Sequence, residues 1–388
     1  MAAYDSRSIT LTQPPQVSFG PGCAAECPNE LRKRGLRRVL LLTTTQVAPL
    51  AKPLVEGLVA HDIVVTTITD VPAEPGVNDF ERILLEARKF APDGVVGFGG
   101  GNVLDIAKLI AVLHDRPEPM QNFFGIGLLP KRQTYLVCLP TTAGSGSEVT
   151  PCSTLIDETA RLTKSVISQW LVPDVAYIDP LFTLSVPPAI TAATGLDALA
   201  HCIEAYANRF AHPMVDVYAL EGIRLISSNL LQAVNNGLDV TARSAVSLGS
   251  LYGGMCHGSV NTAAVHALAY PLSNEFQITH ELASALLLAS VLRFNLTAKP
   301  QRYAEIALAL GVKRQKTDLA TAEAGIVKIA ELCTACGVSL KLAPCNISES
   351  SISRMADAAT KETRLLKNNP RDVTRADVEV LYRLAFPV

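Results

Sequence analysis

Up to about residue 180, short β-branched and apolar runs alternate with stretches of helical spacing. The runs at 39–44, 63–69, 94–98, 134–139 and 175–178 predict strands, and 81–90 and 103–113 between them predict helices. That alternation predicts an α/β domain with a largely parallel sheet. After Asp179-Pro180 the texture changes. Pro187-Pro188 stops what precedes it and opens a helix. From Ala189 onward Ala and Leu recur at helical spacing, and 214–235, 239–256, 281–296, 301–311, 317–336, 348–360 and 375–384 predict helices with no strand-like run among them. The boundary falls near residue 184, giving an α/β domain at 1–184 and an all-helical domain at 185–388. No internal repeat or low-complexity tract interrupts either.

Composition narrows the function classes. Hydrophobic residues make up 48% and charged residues 18%, which excludes a disordered chain. The 34 basic and 36 acidic residues leave a formal charge of -2, so no basic field recruits nucleic acid or an anionic membrane. Aromatics at 5% argue against a base-stacking platform. The longest apolar run, near 282–292, is short of a membrane span. The N-terminus lacks a basic segment followed by an apolar one, so no signal peptide is expected. Nine scattered cysteines fit reduced thiols and a cytoplasmic location. Cys333-x-x-Cys336, with Cys345 nearby, lacks a fourth ligand and reads as small residues on a helix.

Two loops carry candidate chemistry. The strand at 94–98 runs into Gly99-Gly100-Gly101-Asn102 and opens the helix that holds Asp105. Without Cβ atoms the backbone can approach a phosphate, and the free amides at a helix start favour negative charge. The segment is neither G-x-G-x-x-G nor a Walker A loop, and a plain tight turn is the alternative. The strand at 134–139 is followed by Pro140-Thr141-Thr142-Ala143-Gly144-Ser145-Gly146-Ser147-Glu148, rich in hydroxyls and amides. Two such loops at the carboxyl ends of strands in one open sheet are where a dinucleotide binds.

The helical half holds a second constellation. Asp197 and His201 are four apart and share a helix face among apolar neighbours. His266 and His280 also lie in apolar surroundings. Three imidazoles and one carboxylate suit a divalent first-row metal with a position left for substrate. An i,i+4 ion pair and satisfied core histidines are the alternative, and spacing does not decide between them. His61, His114 and His212 read as surface or loop residues, and His257 is a further polar group within reach of His266.

Together these segments resemble the iron-containing (group III) alcohol dehydrogenase family, from Phe19-Gly20-Pro21-Gly22 to Arg302-Tyr303-Ala304-Glu305. The loop at 140–150 and the stretch from Asp179-Pro180 to Ala193-Thr194-Gly195-Leu196-Asp197-Ala198-Leu199-Ala200-His201 carry the resemblance most specifically. It implies a Rossmann-like N-terminal dinucleotide domain and a helical metal-binding domain. It also implies Asp197, His201, His266 and His280 as metal ligands. The implied cofactor contacts are Gly99, Gly100, Gly101, Asn102, Thr141, Thr142, Ser147 and Lys164, with Asp105 and Thr44 as further candidates. Four positions depart from the family pattern: Asn102 for Ser, Tyr270 for a second His near the nicotinamide, Glu281 for Gly after the last ligand, and Thr44 for the Asp that holds the adenosine ribose.

The implied chemistry is hydride transfer between a small primary alcohol and NAD, with NADP possible. Fe2+ is the implied Lewis acid, and Zn2+ can take its place by availability. His266 and Tyr270 are the catalytic candidates; Tyr270 either hydrogen-bonds substrate and relays its proton or packs against the nicotinamide. A homodimer or higher homo-oligomer is implied. Rival readings are a hydroxyacid-oxoacid transhydrogenase of the same family, a dehydroquinate-synthase-like lyase and a non-enzymatic metal- and nucleotide-binding relative.

Overall fold

The computed structural model describes residues 7–386, apart from 161, 277 and 343–346. Cys345 lies outside the described residues. In chain order the strands are β1 (Gln16–Phe19), β2 (Arg38–Leu42), β3 (Val64–Ile68), β4 (Gly94–Gly99), β5 (Gly125–Ile126), β6 (Tyr135–Pro140), β7 (Cys152–Asp157), β8 (Leu162–Ile167) and β9 (Val175–Ile178). The helices of the first half are α1 (Cys27–Lys33), α2 (Ala48–Val59), α3 (Val77–Phe90) and α4 (Gly101–Leu113). Those of the second are α5 (Pro188–Ala207), α6 (Pro213–Asn235), α7 (Val240–Val260), α8 (Ala264–Phe276), α9 (His280–Asn295), α10 (Pro300–Ala309), α11 (Asp318–Ala335), α12 (Ile352–Ala359), α13 (Thr363–Leu366) and α14 (Arg375–Leu384).

The chain separates into two compact units. One comprises Thr12–Thr142 and Gly146–Ser185; the other comprises the described residues up to Leu11, Ala143–Ser145 and Val186 onward. The first unit is built on a six-stranded sheet of order β1-β9-β6-β4-β2-β3. Every neighbouring pair is parallel. Its central strands are continuous apolar runs because both faces are covered. Leu40, Leu42, Val95, Leu136 and Cys138 face one core with α3 and α4, while Val39, Leu41, Val96, Val137 and Leu139 face another with α1 and α2. From β2 the chain first adds β3 on one side, then β4, β6 and β9 on the other. The strand order therefore reverses between β2 and β4, and the carboxyl ends of that pair form the crevice where open α/β sheets bind ligands. The hairpin β7–β8, with β5 on its edge, forms a second sheet of three strands.

The second unit is helical. α5 is its centre: every residue from Thr191 to Ala207 is buried, and α6, α7 and α9 pack on it. The stretch His280–Ala298 is long and apolar enough to cross a membrane by length and composition, although more than half of it is buried within the protein. That corrects the expectation from the 282–292 run, which stops at the charged Arg293 where the helix does not. Cys333 and Cys336 are free and buried at the end of α11, as small helix residues.

Candidate metal centre and nucleotide cradle

Asp197 and His201 occupy one face of α5, and Glu204 follows on the same face at i+7. α8 brings His266 to them. The turn that launches α8 passes through Asn261 in the left-handed region, at φ 68. Asn208 donates to the carbonyls of Val260 and Asn261, both at 3.1 Å, and Asn368 donates to that of Thr262 at 2.8 Å. Asp197, His201 and His266 are buried, and one potential ligand atom from each falls within 4.8 Å of the others. His280, the first residue of α9, stands just outside this set, its ring 5.4 Å from that of His266. The structure thus clusters three of the four implied ligands and places the fourth beside them.

Glu204 is the group the sequence reading missed. Its Oε1 accepts from the Val265 amide at 2.7 Å, and its Oε2 takes the Nδ1 of His266 at 2.6 Å. A proton on Nδ1 leaves the Nε2 lone pair of His266 aimed at Asp197 Oδ1, 3.4 Å away. A lone pair facing a carboxylate calls for a cation between them. Asp197 Oδ1, His266 Nε2 and the Nδ1 atoms of His201 and His280 are all buried and complete no hydrogen bond. The charge balance agrees. Burial lowers the basicity of His266, but Asp197 and Glu204 outweigh it and raise its pKa to about 9. Burial would raise Asp197, yet His201, His266 and His280 hold its carboxyl well below the usual range. Burial pushes His280 down to about 4. Asp197 and Glu204 thus favour positive charge at His266, while burial keeps His201 and His280 neutral, and the oxygen and imidazole donors fit a divalent first-row metal.

A row of rings runs through the centre. His257 stacks on His201 at 5.2 Å, His201 on His266 at 4.7 Å, and Tyr270 on His280 at 5.1 Å between centroids. Among the other histidines, His212 caps α6. His114 is more enclosed than expected, ending α4 with its ring 2.6 Å from the Thr134 hydroxyl.

The α/β unit supplies a different kind of site. Gly99 ends β4, Gly100 caps α4 and Gly101 opens it. At Gly99 an added Cβ would come within 2.7 Å of the Val103 side chain, so packing alone demands glycine there. At Gly100 a Cβ would meet only Thr142, at 3.5 Å or more, so the protein itself leaves room. That bare space at the amino end of a 13-residue helix suits a phosphate. Thr141 donates its amide to the Gly99 carbonyl at 2.9 Å, joining the two loops.

The remaining candidates lie in varied settings. Asp105 points inward: one carboxylate oxygen accepts from the Ser147 hydroxyl at 2.5 Å, the other from the Thr154 amide at 2.9 Å. Fully buried Lys108 completes this knot, donating to the Ser147 carbonyl at 3.0 Å, to the Ser147 and Thr150 hydroxyls and to the Cys152 carbonyl. The sequence reading missed Lys108, whose signal was a lysine three residues after Asp105 on an otherwise apolar helix. Asn102 is half-buried at the start of α4. Lys164 lies on β8 with its ammonium 2.7 Å from Asp157. Thr44, just past β2, bridges to Asp70, which pairs with Arg82.

Comparison with known proteins follows the same division. Residues 14–180 match the family described as iron-containing alcohol dehydrogenase, and residues 191–386 match the C-terminal part of the Fe-containing alcohol dehydrogenase family. The chain is 37% identical over 382 residues to long-chain-alcohol dehydrogenase 1 of Geobacillus thermodenitrificans, covering 96% of this chain and 95% of that one. The solved structure of a 1,3-propanediol oxidoreductase superposes with a TM-score of 0.95 at 30% identity, covering 98% of this chain and 100% of the other. Sulfoacetaldehyde reductase from Bifidobacterium kashiwanohense, solved in complex with NAD+, gives a TM-score of 0.89 at 28% identity, covering 98% and 99%. The chain belongs to the iron-containing alcohol dehydrogenase family.

Proposed function

We propose that this chain is a metal-dependent alcohol dehydrogenase, or aldehyde reductase in reverse, acting between a small primary alcohol and NAD, with weak discrimination against NADP. The reading rests on one observation above all: His266 is locked by Glu204 with its other nitrogen facing the Asp197 carboxylate. Asp197, His201, His266 and His280 would hold the metal, with Fe2+ the first choice and Zn2+ an alternative set by availability. A metal so held supplies Lewis acidity that lowers the pKa of an alcohol. Glu204 fixes the His266 ring and its tautomer. Tyr270, half-buried at the far end of the ring row, keeps His280 in place by stacking and carries the substrate proton towards solvent.

In the α/β unit, the open backbone at Gly100 with Gly99, Gly101, Asn102, Thr141 and Thr142 would receive the pyrophosphate. Ser147 and Asp105 hold the loop in shape, while Lys164 and Thr44 serve the riboses. The names of the relatives, and the NAD+ complex of one of them, support this assignment. The test is absorbance at the reduced-nicotinamide band with a panel of small alcohols and aldehydes, before and after chelation and reloading with Fe2+ or Zn2+. Metal-dependent turnover is expected; equal activity in metal-free protein would overturn it.

A further inference from the structure

The end of α7, just before the turn that launches α8, borders a cavity of about 340 Å³. Arg7, Phe210, His212, Ser259, Lys367 and Asn368 line it, and all belong to the helical unit. Contacts between distant segments fix its walls. The Arg209 amide donates to the Asn368 carbonyl at 2.7 Å, and the Asn368 side chain donates to the Thr262 carbonyl at 2.8 Å. The Arg7 guanidinium donates to the Ala211 carbonyl at 2.8 Å and stands 5.9 Å from the Phe210 ring centroid, which holds its charge at the cavity.

Among the described residues, none that lines this cavity is acidic. Lys367 is exposed, and its ammonium makes no hydrogen bond or ion pair with any described residue. His212 accepts from the Met214 amide through Nδ1 at 3.2 Å, so its ring proton sits on Nε2, a donor. The carboxylates nearby are engaged. Asp216, whose charge acts on His212, is held by two guanidinium nitrogens of Arg302 at 2.5 and 3.1 Å. Asp372 takes Arg209 at 2.7 Å. Lys299 registers the surplus of positive charge. It donates to the Asn208 carbonyl at 2.6 Å, and burial together with the Arg302, Arg7 and Arg209 charges pushes its ammonium down to about 8.

A cavity with cationic donors and no acid of its own selects an anion. Phosphate matches donors that converge from several segments, because it offers acceptor oxygens in several directions. The volume exceeds that of a bare phosphate group, and the half-open Phe210 ring gives an apolar surface for an organic body. We propose that this cavity binds a small phosphate ester, with its phosphate among Lys367, His212 and Arg7 and its organic body against Phe210. The site shares no residue with the metal centre or the glycine cradle, and no step of the hydride chemistry passes through it.

The experiment is a calorimetric titration of the full chain with phenyl phosphate at fixed ionic strength. Saturable binding is expected, several-fold tighter than that of inorganic phosphate. Lys367→Met should weaken it roughly tenfold, the worth of one charge-assisted contact, and Lys367→Glu should abolish it. Lys367→Arg should keep most of it, and Arg7→Gln should weaken it independently of Lys367. The same titration in Gly100→Val separates this site from the cradle, since binding here survives that change. Lys367→Met should leave kcat with alcohol and NAD unaltered. Absence of saturable binding overturns the proposal. So does equal affinity in the wild type, Lys367→Met and Lys367→Glu. Loss of binding in Gly100→Val alone would assign the phosphate to the cradle and overturn it too, and affinity no better than that of inorganic phosphate would overturn the ester.

Discussion

In the helical unit the groups that meet are side chains: Asp197, His201 and His266, with Glu204 behind them, all buried. In the α/β unit the corresponding part is the space over Gly100, where the backbone and the amino end of α4 would be the functional groups of the proposed cradle. The first arrangement needs particular atoms at particular distances and bears the cost of burying them. The second needs the absence of a Cβ and a helix start, and keeps its charged side chains out of the way in the Asp105–Lys108–Ser147 knot. A side-chain site is thus disabled by deletion and a backbone site by addition.

The largest effect should come from deletion at the metal centre. His266→Ala removes a proposed ligand and leaves Glu204 as a buried carboxylate without its imidazole. Metal content, read by elemental analysis, should fall to background and turnover should vanish, while the α/β unit still binds nucleotide in a direct titration. Retained metal would break the side-chain half of the comparison.

Addition is the matching test in the cradle. Gly100→Val should raise the cofactor KM by roughly fiftyfold or more, since a branched side chain would stand where the phosphate must approach. The fold should tolerate it, as only Thr142 borders the space. Gly99→Ala should do the reverse, costing about 1–3 kcal/mol of stability by crowding Val103. An unchanged cofactor KM in Gly100→Val would mean that the triplet is only a turn.

Glu204→Gln probes the support of the metal centre. The amide oxygen can still accept from Val265, but the charge that fixes the His266 tautomer is gone. Metal affinity should fall about 10–100-fold. The smallest effect is expected at the ribose. Thr44→Asp should shift the NAD to NADP ratio of kcat/KM towards NAD by roughly tenfold, through a carboxylate that accepts from a ribose diol and repels a phosphate. An unmoved ratio would place the ribose away from the end of β2.

Five of the six strands of the main sheet were legible: 39–44, 94–98, 134–139 and 175–178 as buried apolar runs and the edge strand 63–69 by its β-branched residues, each within two residues of a strand. The short, exposed and polar edge strand β1 was missed, and α14 begins and ends as expected. The misses have specific causes. α2 carries Pro53 and α8 carries Pro271, and each proline interrupts the helical pattern that tertiary packing then sustains. β7 and β8 are half-exposed and polar, so they lack the apolar run that marked the others. At the metal centre the pair Asp197–His201 was visible from its spacing, whereas Glu204 gains meaning only when α8, some sixty residues on, sets Val265 and His266 against it. Lys108 was hidden because lysine usually lies in water, and nothing local announces that Thr150 and Cys152 will close over it.

That covered lysine anchors more than its own helix. Lys108 and Asp105 sit one turn apart with their charges 3.5 Å from each other, and both are shut away from solvent. Losing either one leaves the other its hydrogen bonds, Ser147 and Thr154 for Asp105 and the Ser147, Thr150 and Cys152 oxygens for Lys108, but removes its counter-charge in a closed place. A single substitution at either position therefore unbalances the charge of the knot without emptying it of hydrogen bonds. Ser147, bonded to both, ties the polar loop to the helix behind it although thirty-nine residues separate it from Lys108.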